Sequence, residues 1–194
     1  MAHIIDIRTI GSDNVIPNNE TFAIDTNVLV WTHYSKASNP NLRNHPYQVI
    51  EYPDFVAKLI SNGNKIVTTV LNLTELCGVV ERDEYEIYKA INNSKSTFKL
   101  KSFRKNPTAR LEYKNEIDNM IMEIREIYDD QIKVVEINDD LIDCFRENIS
   151  NNRCDVFDYA VIEYLKSIGI YNYVSDDKDF STIDGINLYT TSMR

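Results

Sequence analysis

Cysteine is scarce in this 194-residue chain, and the three present, Cys77, Cys144 and Cys154, are far apart and lack paired-ligand spacing. That excludes a disulfide framework or a cysteine zinc site and reads as reduced thiols. Glycine and proline, five of each, are too few for a low-complexity chain. His3, His33 and His45 stand outside every motif described below, so surface or packing roles are expected for them. No apolar stretch approaches the roughly 18 uncharged residues of a membrane span, so no membrane partner is expected. The opening Met1-Ala2-His3-Ile4-Ile5-Asp6 lacks a basic segment followed by an apolar one; a secretory signal is not expected, and a cytoplasmic location is. Positive charge is also short, with 21 Lys and Arg against 30 Asp and Glu, a net charge of −9. Taken as a sum, that argues against a polyanionic partner. The distribution argues otherwise: Lys89, Lys95, Lys99, Lys101, Arg104, Lys105, Arg110 and Lys114 face one acid, Glu112, in the same stretch.

Length and composition suit one domain with a full core. Residues 1–21 read as an N-terminal arm carrying one edge strand, and 22–194 as a single domain with a helical, basic insertion at about 83–130. Phe22 to Ile24 is a short buried strand, and Asn27 to Trp31 opens a helix that dissolves in the Asn/Pro-rich loop from Ser38 to Pro46. Helical spacing over 47–61 is interrupted by Pro53 and stopped at Asn62-Gly63-Asn64. Lys65 to Thr68 is a second strand, and Thr69 an N-cap for a helix to about Arg82, with a separate helical piece from Asp83 to about Asn92. The segment 93–106 reads as a loop, and Pro107 as the first turn of a long helix to about Tyr128. Strand Ile132–Ile137, a helix from Asn138 to about Asn148, a helix from about Cys154 to Ser167 closed by Gly169, and strands Tyr171–Ser175 and Leu188–Thr190 complete the pattern. Strands alternating with helices predict an α/β fold, a parallel sheet covered on both faces.

What this chain has in quantity is acid at strand ends. Asp25 terminates the apolar run Phe22-Ala23-Ile24, and Asp176, Asp177 and Asp179 follow the strand that ends at Val174-Ser175. Glu75 lies in the helix after the second strand, within Leu73-Thr74-Glu75-Leu76, and Asp155 and Asp158 stand one turn apart at the start of a helix. In open α/β sheets the carboxyl ends of the strands carry the functional crevice, so these stations converge if their strands are neighbours. Isolated carboxylates avoid apolar surroundings, and several packed together repel, so a shared divalent cation is the economical explanation. Hard oxygen donors without Cys or His select Mg²⁺ or Mn²⁺. Each station also has an ordinary reading: Asp25 and Asp155 as helix caps, Glu75 as a solvent-facing helix residue, and 176–179 as a polar turn.

Ile24-Asp25-Thr26-Asn27-Val28-Leu29 resembles the opening motif of the PIN-domain nucleases, an apolar residue followed by Asp-Thr/Ser-Asn-x-Leu. Thr68-Thr69 with Leu73-Thr74-Glu75-Leu76, Cys154-Asp155-Val156-Phe157-Asp158-Tyr159-Ala160 and Ser175-Asp176-Asp177-Lys178-Asp179-Phe180 are similar to the second, third and fourth motifs, in the right order. The resemblance implies a three-layer α/β/α fold and a Mg²⁺/Mn²⁺-dependent endoribonuclease like the VapC-type toxins. It implies Asp25, Glu75, Asp155 and Asp177 as the catalytic and metal-holding acids, Asp158 and Asp179 as auxiliary metal ligands, and Asn27 and Ser175 as supporting polar residues. Implied partners are RNA, an antitoxin protein if the chain is the toxin of a type II toxin–antitoxin pair, and a second copy in a homodimer. A catalytically weak PIN-fold module binding RNA or protein is the alternative. The chain departs from the family at Asp158, where many members carry an apolar residue, and in the arm and insertion, which exceed the shorter toxins.

The insertion adds one more expectation. Lys99, Lys101, Arg104 and Lys105, interleaved with Phe98 and Phe103, combine cations with rings in the way that holds single-stranded nucleic acid. The competing reading is a solvated loop anchored to the core by its two phenylalanines.

Overall fold

The computed structural model describes residues 1–10, 15–39, 47–92, 98–128, 131–135 and 139–191, with only the backbone described at 139–141. Six parallel strands form one sheet: β1 (His3–Asp6), β2 (Thr21–Ile24), β3 (Lys65–Thr69), β4 (Ile132–Lys133), β5 (Asn172–Val174) and β6 (Asn187–Thr190), in the order β1-β6-β5-β2-β3-β4. Helices connect them: α1 (Thr26–His33), α2 (Gln48–Ser61), α3 (Val70–Ile91), α4 (Leu100–Phe103), α5 (Pro107–Tyr128), α6 (Asp139–Asn148) and α7 (Val156–Ser167).

Period-two alternation in the strands shows why the sheet is covered twice. Phe22, Ile24, Ile66, Val174 and Tyr189 join one buried cluster with residues of α1, α2, α3 and α5. Their neighbours Ala23, Val67, Tyr173 and Leu188 join a second cluster with residues of α7. Successive side chains on a strand point to opposite faces, so the two clusters are the two faces of one sheet. The architecture is therefore the three-layer α/β/α arrangement expected from the sequence.

Strand order fixes where a crevice opens. From β2 the chain crosses to β3 on one side, whereas β5 pairs with β2 on the other, in register Phe22↔Asn172, Ala23↔Tyr173, Ile24↔Val174. The order reverses between β2 and β5, and ligands of such sheets bind outside the carboxyl ends at that switch point.

Several boundaries differ from those read in the sequence. The N-terminal arm carries the edge strand expected of it, Ile4 pairing with Leu188 and Ile5 with Tyr189, but it does not lie apart from the domain, since Ile7 and Ile16 are buried in the core. Helix α3 runs unbroken for 22 residues where two pieces were expected, its middle tied to the segment after α1 by the buried Glu84, which accepts the Tyr34 hydroxyl and Lys36 Nζ. Pro53 lies inside a continuous α2. Within the basic segment, 98–106 contains the single turn α4, while residues 93–97 lie outside the described residues. Of the expected strand 132–137, Ile132–Lys133 pairs with Thr68–Thr69, and residues 136–138 are not described. From α5, Met120, Ile124 and Tyr128 enter the main core almost fully buried, so the helical elaboration is built into the domain.

Candidate functional site

Each acidic station is set in place by the end of a regular element. Asp25 is the first residue after β2 and the N-cap of α1, its Oδ1 accepting the Thr26 amide at 2.7 Å. Its Oδ2 accepts the buried Ser175 hydroxyl at 2.8 Å, across the gap between the ends of β2 and β5. The same hydroxyl oxygen accepts the Asp177 amide at 3.0 Å, which draws the loop after β5 over the end of β2. Asp177 caps the short 3-10 turn Lys178–Thr182, its Oδ1 accepting the Asp179 amide at 2.8 Å. Asp155 caps α7, its Oδ1 accepting the amides of Phe157 and Asp158 at 2.8 and 3.0 Å. Asp25 and Asp155 are thus helix caps, as the plainer reading of each had it, and Asp177 caps a 3-10 turn where a polar turn was expected. Capping and site formation do not compete. The cap consumes one oxygen at Asp155 and Asp177 and fixes the carboxylate, leaving Oδ2 to the space in front.

Glu75 is joined to this set through Thr26, whose hydroxyl donates to Glu75 Oε2 at 2.6 Å and receives Asn72 Nδ2–H at 3.2 Å. Asn72 is itself locked, since Thr69 donates its hydroxyl to Asn72 Oδ1 at 2.6 Å and accepts the Asn72 amide at 3.2 Å as the N-cap of α3. A buried chain Thr69–Asn72–Thr26 therefore ties the end of β3 to the start of α1 and aims Glu75. Sequence reasoning passed over Thr26 and Asn72. The available signals were the Thr69-x-x-Asn72 capping spacing and the hydroxyl immediately after Asp25. Asn27, the residue expected to support the first acid, is partly exposed, and among the described residues no hydrogen bond links its side chain to Asp25 or Glu75; Thr26 makes that connection.

The fourth motif contains three acids, and the structure separates them. Asp176 turns away, accepting hydrogen bonds from Tyr52 (2.7 Å), Thr191 (2.8 Å) and Gln48 (3.2 Å). Asp177 and Asp179 remain on the crevice side, and both bear on the Cys154 thiol.

Burial and mutual repulsion act on the same carboxylates. Burial pushes Asp25 up to about 7, against the Ser175 hydrogen bond, with Glu75 and Asp177 adding repulsion. Asp158 is pushed up to about 8, first by burial and then by Asp25, Asp155, Glu75 and Asp177. Cys154 is raised to about 12 by burial and by Asp158, Asp177, Asp179 and Asp155, so it stays a thiol. Among the described residues, none of Asp25, Glu75, Asp155, Asp158, Asp177 and Asp179 is ion-paired with Lys, Arg or His. A cleft of about 270 Å³ opens here, lined by Glu75, Asp155 and Asp158 together with Leu71, Phe157 and Val161.

Oxygen donors with no accessible thiol or imidazole suit a hard divalent ion. His33 is held elsewhere by Tyr128 (2.6 Å) and Glu123 (3.1 Å), and His3 sits by Asn187 at the sheet edge. His45 lies outside the described residues. No three of these side chains among the described residues already close to a ligand set. Glu75 and Asp155 are exposed to solvent, each with one carboxylate oxygen held, Glu75 by the Thr26 hydroxyl and Asp155 by two backbone amides.

The basic segment sits beyond the acids. Arg104 is committed to Glu81, with Nε at 2.9 Å and Nη2 at 2.5 Å, and Arg110 meets the same carboxylate at 2.6 Å. Phe98 stacks on Tyr85 and Tyr88, and Phe103 is 1% exposed, packed edge-on to both rings. The rings of this segment are anchors. Lys99, Lys101 and Lys105 are exposed. Glu81 lies six residues beyond Glu75 on α3, about 9 Å along the axis at 1.5 Å per residue.

No family model matches the chain, and no curated protein matches it in sequence. Among solved structures it is similar to VapBC2 from Rickettsia felis bound to a DNA fragment from their promoter, with 14% identity and a TM-score of 0.47, covering 88% of this chain and 98% of that one.

Proposed function

We propose that the chain is a Mg²⁺- or Mn²⁺-dependent endoribonuclease of the PIN type. The observation that carries this reading is the set of carboxylates at the switch point, unpaired with any cation among the described residues and raising one another at Asp25 and Asp158. A structural acid cluster would be neutralised by basic side chains, as Glu81 is. A divalent ion held here supplies the Lewis acidity that activates water and offsets charge developing on the phosphate. Asp25, Glu75, Asp155 and Asp177 would hold it, with Asp158 and Asp179 flanking. Ser175 and Thr26 keep Asp25 and Glu75 oriented. Lys99, Lys101 and Lys105 would steer the RNA backbone past the crevice.

Cleavage of RNA by purified protein with Mn²⁺, lost in Asp25→Asn while the fold persists, tests the reading; full activity in that variant defeats it. Stabilisation by Mn²⁺ with no cleavage of any RNA would favour the binding-module alternative. The role of toxin in a type II pair rests on the motif resemblance to VapC-type nucleases. Growth arrest on expression, relieved by a small protein encoded beside it, is the result that would support it, and that protein would be the antitoxin partner.

A further inference from the structure

Phe157 is 58% exposed, a large ring left in solvent although Ala160 and Val161, three and four residues on along the same helix, are buried. It is not a stray surface residue. It lines the same cleft as Glu75, Asp155 and Asp158, with Leu71 and Val161 as the other apolar lining. Its backbone amide is bonded to Asp155 Oδ1 at 2.8 Å, so the hydrogen bond that fixes the carboxylate also fixes where the ring stands. The cleft joins a half-exposed aromatic to a carboxylate cluster suited to a phosphate-bridging cation. At about 270 Å³ it falls just below the ~300 Å³ of a small drug-sized site, with room for one heterocycle.

We propose that Phe157, backed by Leu71 and Val161, is a stacking platform for one unpaired nucleobase beside the phosphate at the carboxylates, so that the substrate is single-stranded RNA. This rests on the nuclease reading of the site and adds to it the residue that selects for an unpaired base. In a duplex each base is stacked and paired inward, so its face cannot reach a side chain at the backbone. In a single strand the face is free, and every base has one, so the platform is indifferent to sequence. The rings of the basic segment cannot serve instead, because Phe98 and Phe103 are packed against Tyr85 and Tyr88.

The test uses a short labelled single-stranded RNA, its duplex, and the full chain with Mn²⁺. Anisotropy is measured on the full chain with Ca²⁺ in place of Mn²⁺, so that binding is read without cleavage, and KM with Mn²⁺. Phe157→Ala is expected to weaken single-strand binding about 10-fold and raise KM correspondingly, within the range that loss of one base–aromatic stack produces. Phe157→Trp is expected to restore binding, with the new indole's emission quenched by the single strand and unmoved by the duplex. Unchanged binding and KM in Phe157→Ala, while the wild type still cleaves RNA, overturns the platform and leaves the nuclease reading standing. A change from dimer to monomer by sedimentation with RNA affinity intact also overturns it, because the ring would then serve a contact between copies. Absence of both binding and cleavage in the wild type overturns both readings.

Discussion

Helix α3 contributes to two acid clusters, one near its start and one in its middle, and they behave in opposite ways. Near its start, Glu75 joins Asp25, Asp155, Asp158 and Asp177, and the carboxyls at Asp25 and Asp158 are driven above their ordinary range by burial and by one another. Further along, Glu81 takes Arg104 and Arg110, and its carboxyl is held below its ordinary range chiefly by the Arg104 hydrogen bonds. Glu84 likewise accepts Lys36 Nζ at 2.7 and 2.9 Å and the Tyr34 hydroxyl at 2.6 Å. The second region is charge-neutralised by side chains from α4, α5 and the segment after α1, and it staples the helical elaboration to the sheet. The first spends folding stability on unbalanced charge at a sheet crevice. Such a cost is expected where a ligand supplies the balance.

The sharpest way to break this comparison is to neutralise one acid in each region. Asp25→Asn is expected to reduce RNA cleavage by more than ~100-fold, beyond the usual loss for residues that only support a metal ligand. Its metal-free melting temperature should hold or rise. Glu81→Gln should keep cleavage within a few-fold and lower the melting temperature slightly, since the two guanidinium groups it releases are half-exposed and regain water. Paired thermal melts and gel assays would expose the opposite pattern if the regions had been misassigned.

Metal comes next in size. At 100 times its dissociation constant, Mn²⁺ should stabilise the wild type by about 2.7 kcal/mol, roughly 5–10 °C for a chain of this length. Glu81→Gln should keep that shift and Asp25→Asn should lose it. An equal shift in both variants, read by differential scanning fluorimetry, would place the ion outside the crevice.

The pH dependence of metal-free stability should separate the regions by sign. Asp25 and Asp158 bind protons more tightly folded than unfolded, so their penalty grows as pH rises from their ordinary 3.8 and is complete above about 7 to 8. Glu81, depressed in the fold, contributes stability above its ordinary 4.5 and loses it as pH falls. Denaturant midpoints from pH 5 to 8 should therefore decline in the wild type, and Asp158→Asn should flatten the decline. The smallest effect is expected at Thr26→Val, which cuts the link from Asn72 to Glu75 and should weaken Mn²⁺ binding about 10-fold, in the range for an outer-shell contact. Unaltered Mn²⁺ affinity in that variant would remove Thr26 from the site.

The acid positions were legible because each carboxylate interrupts an apolar run or opens a helix, and those are local signals. Alternation in the strands likewise announced a sheet buried on both faces. Illegible were the partners. Nothing local distinguishes Asp176, turned to Tyr52 and Thr191, from Asp177 one residue on, facing the crevice. Arg104 looked as free as Lys101 until the packing of α4 put it on Glu81. Phe157 read as a residue of a helical motif, and its exposure depends on what the rest of the chain leaves uncovered.

By itself the sequence determined which residues could carry charge at strand ends, because period, capping preference and apolar runs act over a few residues. Only the tertiary structure decided which of those charges meet an opposite charge and which meet each other. That outcome depends on strand order and helix packing across separations of about 150 residues, as between Asp25 and Asp177. Coulomb energy depends on distance in space, and distance in space is set by the fold.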